Sequence, residues 1–298
     1  MSSSTRGILV MVLSAVFFAL MAGLVRGLEG VSAYVMVMAR FVGGTLVCLG
    51  LFAIGLDRPR WTNWSWIITR GVVGGIAVVI FYWTIRDIGL AKATMLNYTY
   101  VVWAAVVAVP LLHERLSGMH WVAIAVALLG VVLLFDVREL TVGYGEGLAL
   151  FGALCSGVAV ICVTRCRETD SSTNIFWSQA LFGIGLAAWP MTKEWAMPTA
   201  GQWAVLAGIA LLATAGQLAM TYAYKHTGAT QGSLLSLVTP VLSALMGVLY
   251  FHEEYSAGFV MGSALILAAC AYMAVFPVGK GTVAKAGDDG ESLTGCTG

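Results

Sequence analysis

Ten apolar stretches, each near the length of a bilayer core and separated only by short polar loops, leave this chain one solvent in which to fold. A helix needs roughly 20 apolar residues to cross the hydrocarbon. On that ruler the spans run 7–26, 32–55, 65–86, 91–111, 119–135, 145–164, 174–191, 203–224, 229–250 and 257–276. Charged residues make up only 10% of the sequence and hydrophobic residues 59%. An ordinary soluble domain carries about 25% charge, so this chain cannot coat a water-facing surface. The reading is an all-α integral membrane protein, multi-pass, with lipid as a partner. The first span follows a single Arg6 and precedes further spans rather than a polar mature domain, so it is read as a retained helix and not a signal peptide.

The same numbers exclude several functions. A net charge of +1 without a basic run speaks against nucleic acid as a partner. Most of the cysteines lie in apolar stretches, where a thiol behaves as a small hydrophobe. Cys162 and Cys166 have no second pair to complete a metal site. No phosphate loop, nucleophile elbow or zincin motif occurs, so neither a cofactor nor an enzyme activity is expected.

Displacing the chain by 139 residues (Gly89 onto Gly228) aligns it with itself without gaps over most of its length. Arg86-Asp87-Ile88-Gly89 falls on Lys225-His226-Thr227-Gly228, His113-Glu114 on His252-Glu253, and Ser32 on Ser171. Each half then holds five spans, and a second copy of an odd-numbered unit must sit upside down. The expected architecture is two inverted five-helix repeats, residues 1–139 and 140–278, followed by a disordered tail at 279–298. Inverted halves with a solute between them recur among transporters. With the N-terminus inside, the cytoplasmic loops and flanks hold Arg6, Arg58, Arg60, Arg70, Arg115, Arg165, Arg167, Lys225, Lys280 and Lys285. The outer ones hold only Arg26, Arg86, Lys92, Arg138 and Lys193. That bias puts both termini in the cytoplasm.

The segment Leu111-Leu112-His113-Glu114-Arg115-Leu116-Ser117, followed by a Gly/Ala-rich span, resembles the EamA domain of the drug/metabolite transporter superfamily. Tyr250-Phe251-His252-Glu253-Glu254-Tyr255-Ser256 resembles the same motif, and the likeness extends over residues 7–276. Both copies carry His where the family commonly has Gly. The resemblance implies ten helices with cytoplasmic termini and export of amino acids or related small metabolites across a bacterial inner membrane. Within the superfamily the chain is similar to the aromatic amino acid exporters called YddG. Other metabolites, drug-like organic cations and a passive channel remain alternatives.

Polar side chains inside spans are costly in lipid and should face protein or a wet cavity. Asn97 and Tyr100 share one face of the fourth span, and the repeat offset carries this face onto Ser236, Thr239 and Ser243 in the ninth. These two faces are expected to wall a central substrate site. Gln217 and Thr221 share a face of the eighth span, and the offset sets Tyr82 against Thr221. Pro240 is read as a mid-span residue that frees a backbone carbonyl for a ligand or serves as a hinge, and Glu114 and Glu253 as helix-end carboxylates that cap or gate. Arg40 is read as the one intramembrane charge, placed either to meet a substrate carboxylate or, through its long stem, to snorkel to the outer interface.

Overall fold

The computed structural model describes residues 3–135, 143–251 and 256–280. Its helices are α1 (Ser3–Gly27), α2 (Ala33–Ala53), α3 (Trp64–Ile88), α4 (Leu90–Tyr98), α5 (Tyr100–Leu112), α6 (Gly118–Phe135), α7 (Tyr144–Cys166), α8 (Ser172–Lys193), α9 (Ala200–Thr227), α10 (Ala229–Leu235), α11 (Val238–Phe251) and α12 (Ala257–Val275). Two short strands, β1 (Glu114–Arg115) and β2 (Gly279–Lys280), pair antiparallel. The expected 139/140 boundary lies outside the described residues, as do Glu253 and the tail beyond residue 280, while Gly279 and Lys280, expected to open a disordered tail, are instead held in β2 by pairing with Arg115 and Glu114.

Among the described residues, nine helices are long and apolar enough to cross a membrane, counting α4 with α5 and α10 with α11 as one crossing each. The tenth expected span, α8, falls outside that set. Ser172, Thr173, Asn174, Ser178 and Gln179 crowd its first turns, and the last four of these are buried against protein. Burial is inverted relative to a soluble protein. Leu46 is 63% exposed and Leu211 59%, whereas Gln217 is 2% exposed and Thr221 fully buried. Apolar groups face outward because lipid surrounds them, and polar groups turn inward for partners.

Helix bounds recur at the displacement seen in the sequence. Ser32 caps α2 by accepting from Tyr34 N, and Ser171 caps α8 by accepting from Asn174 N. Gly89 and Gly228 end α3 and α9 with φ of 84° and 76°. That conformation is open to glycine and costly for residues with a Cβ.

The fourth and ninth crossings are each broken at mid-depth. Thr99 separates α4 from α5, and Ser236-Leu237 separates α10 from α11. Thr99 Oγ1 donates to Leu96 O at 2.6 Å, and Ser236 Oγ donates to Ser233 O at 2.6 Å. Hydroxyls bonded to their own backbone compete with the helical ladder. Shorter-range bonds take its place, Val102 N to Thr99 O and Thr239 N to Ser236 O, both 2.9 Å. Pro240 therefore falls in the first turn of α11 rather than in mid-helix. The carbonyl it was expected to free, that of Ser236, is engaged by Thr239 N.

Packing interleaves the two halves. Helix α1 lies against α9 and α11, and α7 correspondingly against α3 and α5. Helix α2 meets α8 and α9, while α3 meets α8, and α6 packs along α12. The last pair touches backbone to backbone. A Cβ at Gly130 would stand 2.7 Å from Gly262 O, and one at Gly262 would stand 2.5 Å from Gly130 O.

Candidate substrate site

The two broken crossings meet. Tyr100, first residue of α5, sends its hydroxyl to Ser236 Oγ at the other half's break and to Ser233 O at 3.5 Å. Tyr224 on α9 lies beside Tyr100. Gln217, Thr221 and Tyr224 follow at spacings of four and three residues, so α9 presents one polar face along its buried side. Of the residues expected to wall a site, Tyr100 and Ser236 are brought into contact. Asn97, Thr239 and Ser243 are partly buried nearby in sequence, and their side chains make no hydrogen bonds among the described residues.

Arg40 does not snorkel. Its Nη2 donates to Gln217 Oε1 at 3.3 Å, the Tyr82 hydroxyl lies within reach of the guanidinium, and the Phe18 ring centroid is 5.7 Å from its Cζ. The stem runs inward because α9 and α3 offer acceptors there that lipid does not. Tyr82, Gln217 and Arg40 thus form one cluster joining α3, α9 and α2.

Arg70 went unrecognised as a buried charge in the sequence. Counted there as a flanking residue, it is 4% exposed inside α3 and donates from Nη2 to Gln179 Oε1 at 2.7 Å. Its place within the expected 65–86 span, between Ile67-Ile68 and Gly71-Val72-Val73, was the available signal. The α2–α9 and α3–α8 contacts therefore each hold one arginine bonded to one glutamine.

Among the described residues, carboxylates lie at helix ends and in loops. Glu114, 5% exposed, accepts from Ala229 N at 2.7 Å and Thr230 N at 3.2 Å, capping α10 across the halves. Glu146 pairs with Lys92 at 3.1 Å, and Glu194 with Arg86. Asp170 accepts from Thr62 N at 2.7 Å and Asn63 N at 3.2 Å. Beside it, burial pushes the Arg167 guanidinium below its usual pKa.

A multi-pass bundle of interleaved halves with polar contacts between them has the form of a membrane transporter. Family comparison agrees: the profile of the EamA-like transporter family matches twice, over residues 5–136 and 143–275. The chain belongs to the EamA-like transporter family and is a transporter. It is 27% identical to the pseudopaline exporter CntI of Pseudomonas aeruginosa, over 89% of this chain and 94% of that protein. It is 26% identical to the uncharacterized transporter YwfM of Bacillus subtilis, over 86% and 90% of the two chains. Solute carrier family 35 member G1 of Homo sapiens is 23% identical, over 88% and 77%. One solved crystal structure superposes with a TM-score of 0.79 at 18% identity, covering 92% of this chain and 98% of the other, and shares the fold.

Proposed function

We propose that this transporter exports amino acids or related small metabolites across a bacterial inner membrane by alternating access between two inverted halves. The observation that carries the reading is the contact of Tyr100 with Ser236, where two mid-span helix breaks from different halves face each other. Broken helices expose backbone polar groups at mid-depth, which is where carriers of inverted design hold a solute. Rocking one half against the other would separate these walls in turn toward each side. Five helical spans per half, with α8 counted by its length of 22 residues, and the helix bounds repeated at one displacement support the inversion. The Lys/Arg bias supports cytoplasmic termini, and the relative named as an exporter supports the outward direction.

Purified protein in liposomes should give saturable counterflow of amino acids or related metabolites, and Tyr100→Phe combined with Ser236→Ala should cut it at least fivefold. Linear flux with no saturation would reject the carrier reading. Cysteine tags that put the two chain ends on opposite membrane faces would reject the inversion.

A further inference from the structure

Resting on that reading, we infer that the transported solute is an organic anion carrying at least two carboxylates, received by Arg40 and Arg70. Both guanidinium groups lie within crossings, Arg40 in α2 and Arg70 in α3. Neither has a carboxylate partner among the described residues, where both bond to neutral amides, Gln217 and Gln179. The buried carboxylates Glu114, Glu146 and Asp170 are engaged at helix ends. Two positive charges thus stand in the bundle without a carboxylate to compensate them among the described residues, an arrangement that membrane proteins use for counter-ions and substrates.

The unsatisfied atoms around them have a common sign. Arg40 Nε, Arg70 Nε and Gln217 Nε2 are buried N–H donors without an acceptor, and Thr221 Oγ1, one turn along α9 from Gln217, is also unpaired. Buried polar groups are nearly always bonded, so a group left open in a native fold calls for a partner. Here the partner must bring acceptor oxygens. A carboxylate matches the planar fork of a guanidinium and offers several lone pairs to it. An organic cation meets only repulsion at this place. A zwitterionic amino acid leaves one of the two charges unmet.

The spacing points to two acceptor groups set apart in the solute. Arg40 stands seven residues beyond Ala33 in α2, and Arg70 six residues beyond Trp64 in the following, oppositely running α3. At a rise of 1.5 Å per residue each is about 10 Å from its own end of the bundle. In a core about 30 Å thick the two Cα atoms therefore differ in depth by about 10 Å, and the guanidinium groups by less, since that of Arg70 reaches along α3 to Gly74.

The test is counterflow in proteoliposomes of the full chain, using radiolabelled adipate, glutamate, leucine, lysine and glycerol 3-phosphate. The expected order places adipate and glutamate above leucine, with lysine inert. Arg40→Gln and Arg70→Gln should each raise KM for the dicarboxylates at least tenfold and erase their preference over leucine, while Arg40→Lys retains that preference. Because either Gln variant could misfold, the unmutated protein is also melted in detergent. Adipate should raise its unfolding temperature and leucine should not. Saturable flux of leucine or lysine with no flux or competition by the dicarboxylates would overturn this inference and leave the carrier reading standing. Preference for glycerol 3-phosphate over both dicarboxylates would overturn the carboxylate assignment. Absence of saturable flux for every solute would instead strike the carrier reading itself.

Discussion

Glu114 gives the sharpest quantitative expectation. Its carboxylate sits after α5, is nearly inaccessible, and accepts two backbone N–H bonds from the start of α10, more than a hundred residues away. Hydrogen bonds to a charged group contribute about 1.5–3 kcal/mol each, and a buried donor stranded by deletion costs about 1–3 kcal/mol. These figures describe overlapping parts of one loss, so Glu114→Ala should weaken the junction by about 3 kcal/mol rather than by their sum. At 1.4 kcal/mol per decade, local opening at Ala229 and Thr230 becomes roughly a hundred times more frequent. Glu114→Gln keeps one acceptor oxygen but turns an amide toward the second N–H, and should cost about half as much. Amide hydrogen exchange followed by mass spectrometry in detergent reads this directly. Peptides covering residues 228–233 should exchange about a hundredfold faster in Glu114→Ala and about tenfold faster in Glu114→Gln. Exchange within threefold of the unmutated protein in both variants would refute the capping role.

Two further expectations concern packing and loops. Gly130→Leu drives a side chain into the Gly262 backbone of α12, and should destabilise the bundle by about 1–3 kcal/mol, read as a lowered unfolding midpoint in detergent; an unchanged midpoint would mean that α6 and α12 separate freely. Asp170→Ala removes the acceptor for Thr62 N and Asn63 N and should free the loop that carries Arg58 and Arg60, so that trypsin cuts there several times faster. An unaltered cutting rate would show that the loop is held by other contacts.

Features that depend on local chemistry were legible without a structure. Ser32 and Ser171 cap helices as hydroxyls before an apolar run should, and Gly89 and Gly228 stop helices at the positions that self-alignment pairs. Long-range pairing was not legible. Arg40 bonds Gln217 and Arg70 bonds Gln179, and only Arg40 and Gln179 correspond under the 139-residue displacement, so comparing the halves hides both bonds. Counting charges along the chain put Arg70 at the membrane edge, because such a count carries no information on which way a side chain turns. The break at Ser236-Leu237 escaped notice because no polar residue interrupts hydropathy enough to mark it. Pro240 was for that reason assigned to the middle of a helix instead of a first turn.

The two arginine–glutamine bonds have a consequence for how the protein is made. Each arginine belongs to the portion synthesised first, and each glutamine arrives with the portion synthesised last. Until α8 and α9 leave the ribosome, the nascent N-terminal helices hold two cations with no amide to receive them, in a medium that penalises bare charge. The N-terminal helices therefore lack two of their polar partners until α8 and α9 arrive. A fragment ending before α8 should accordingly be less stable in the bilayer than the full chain, read as faster turnover in cells.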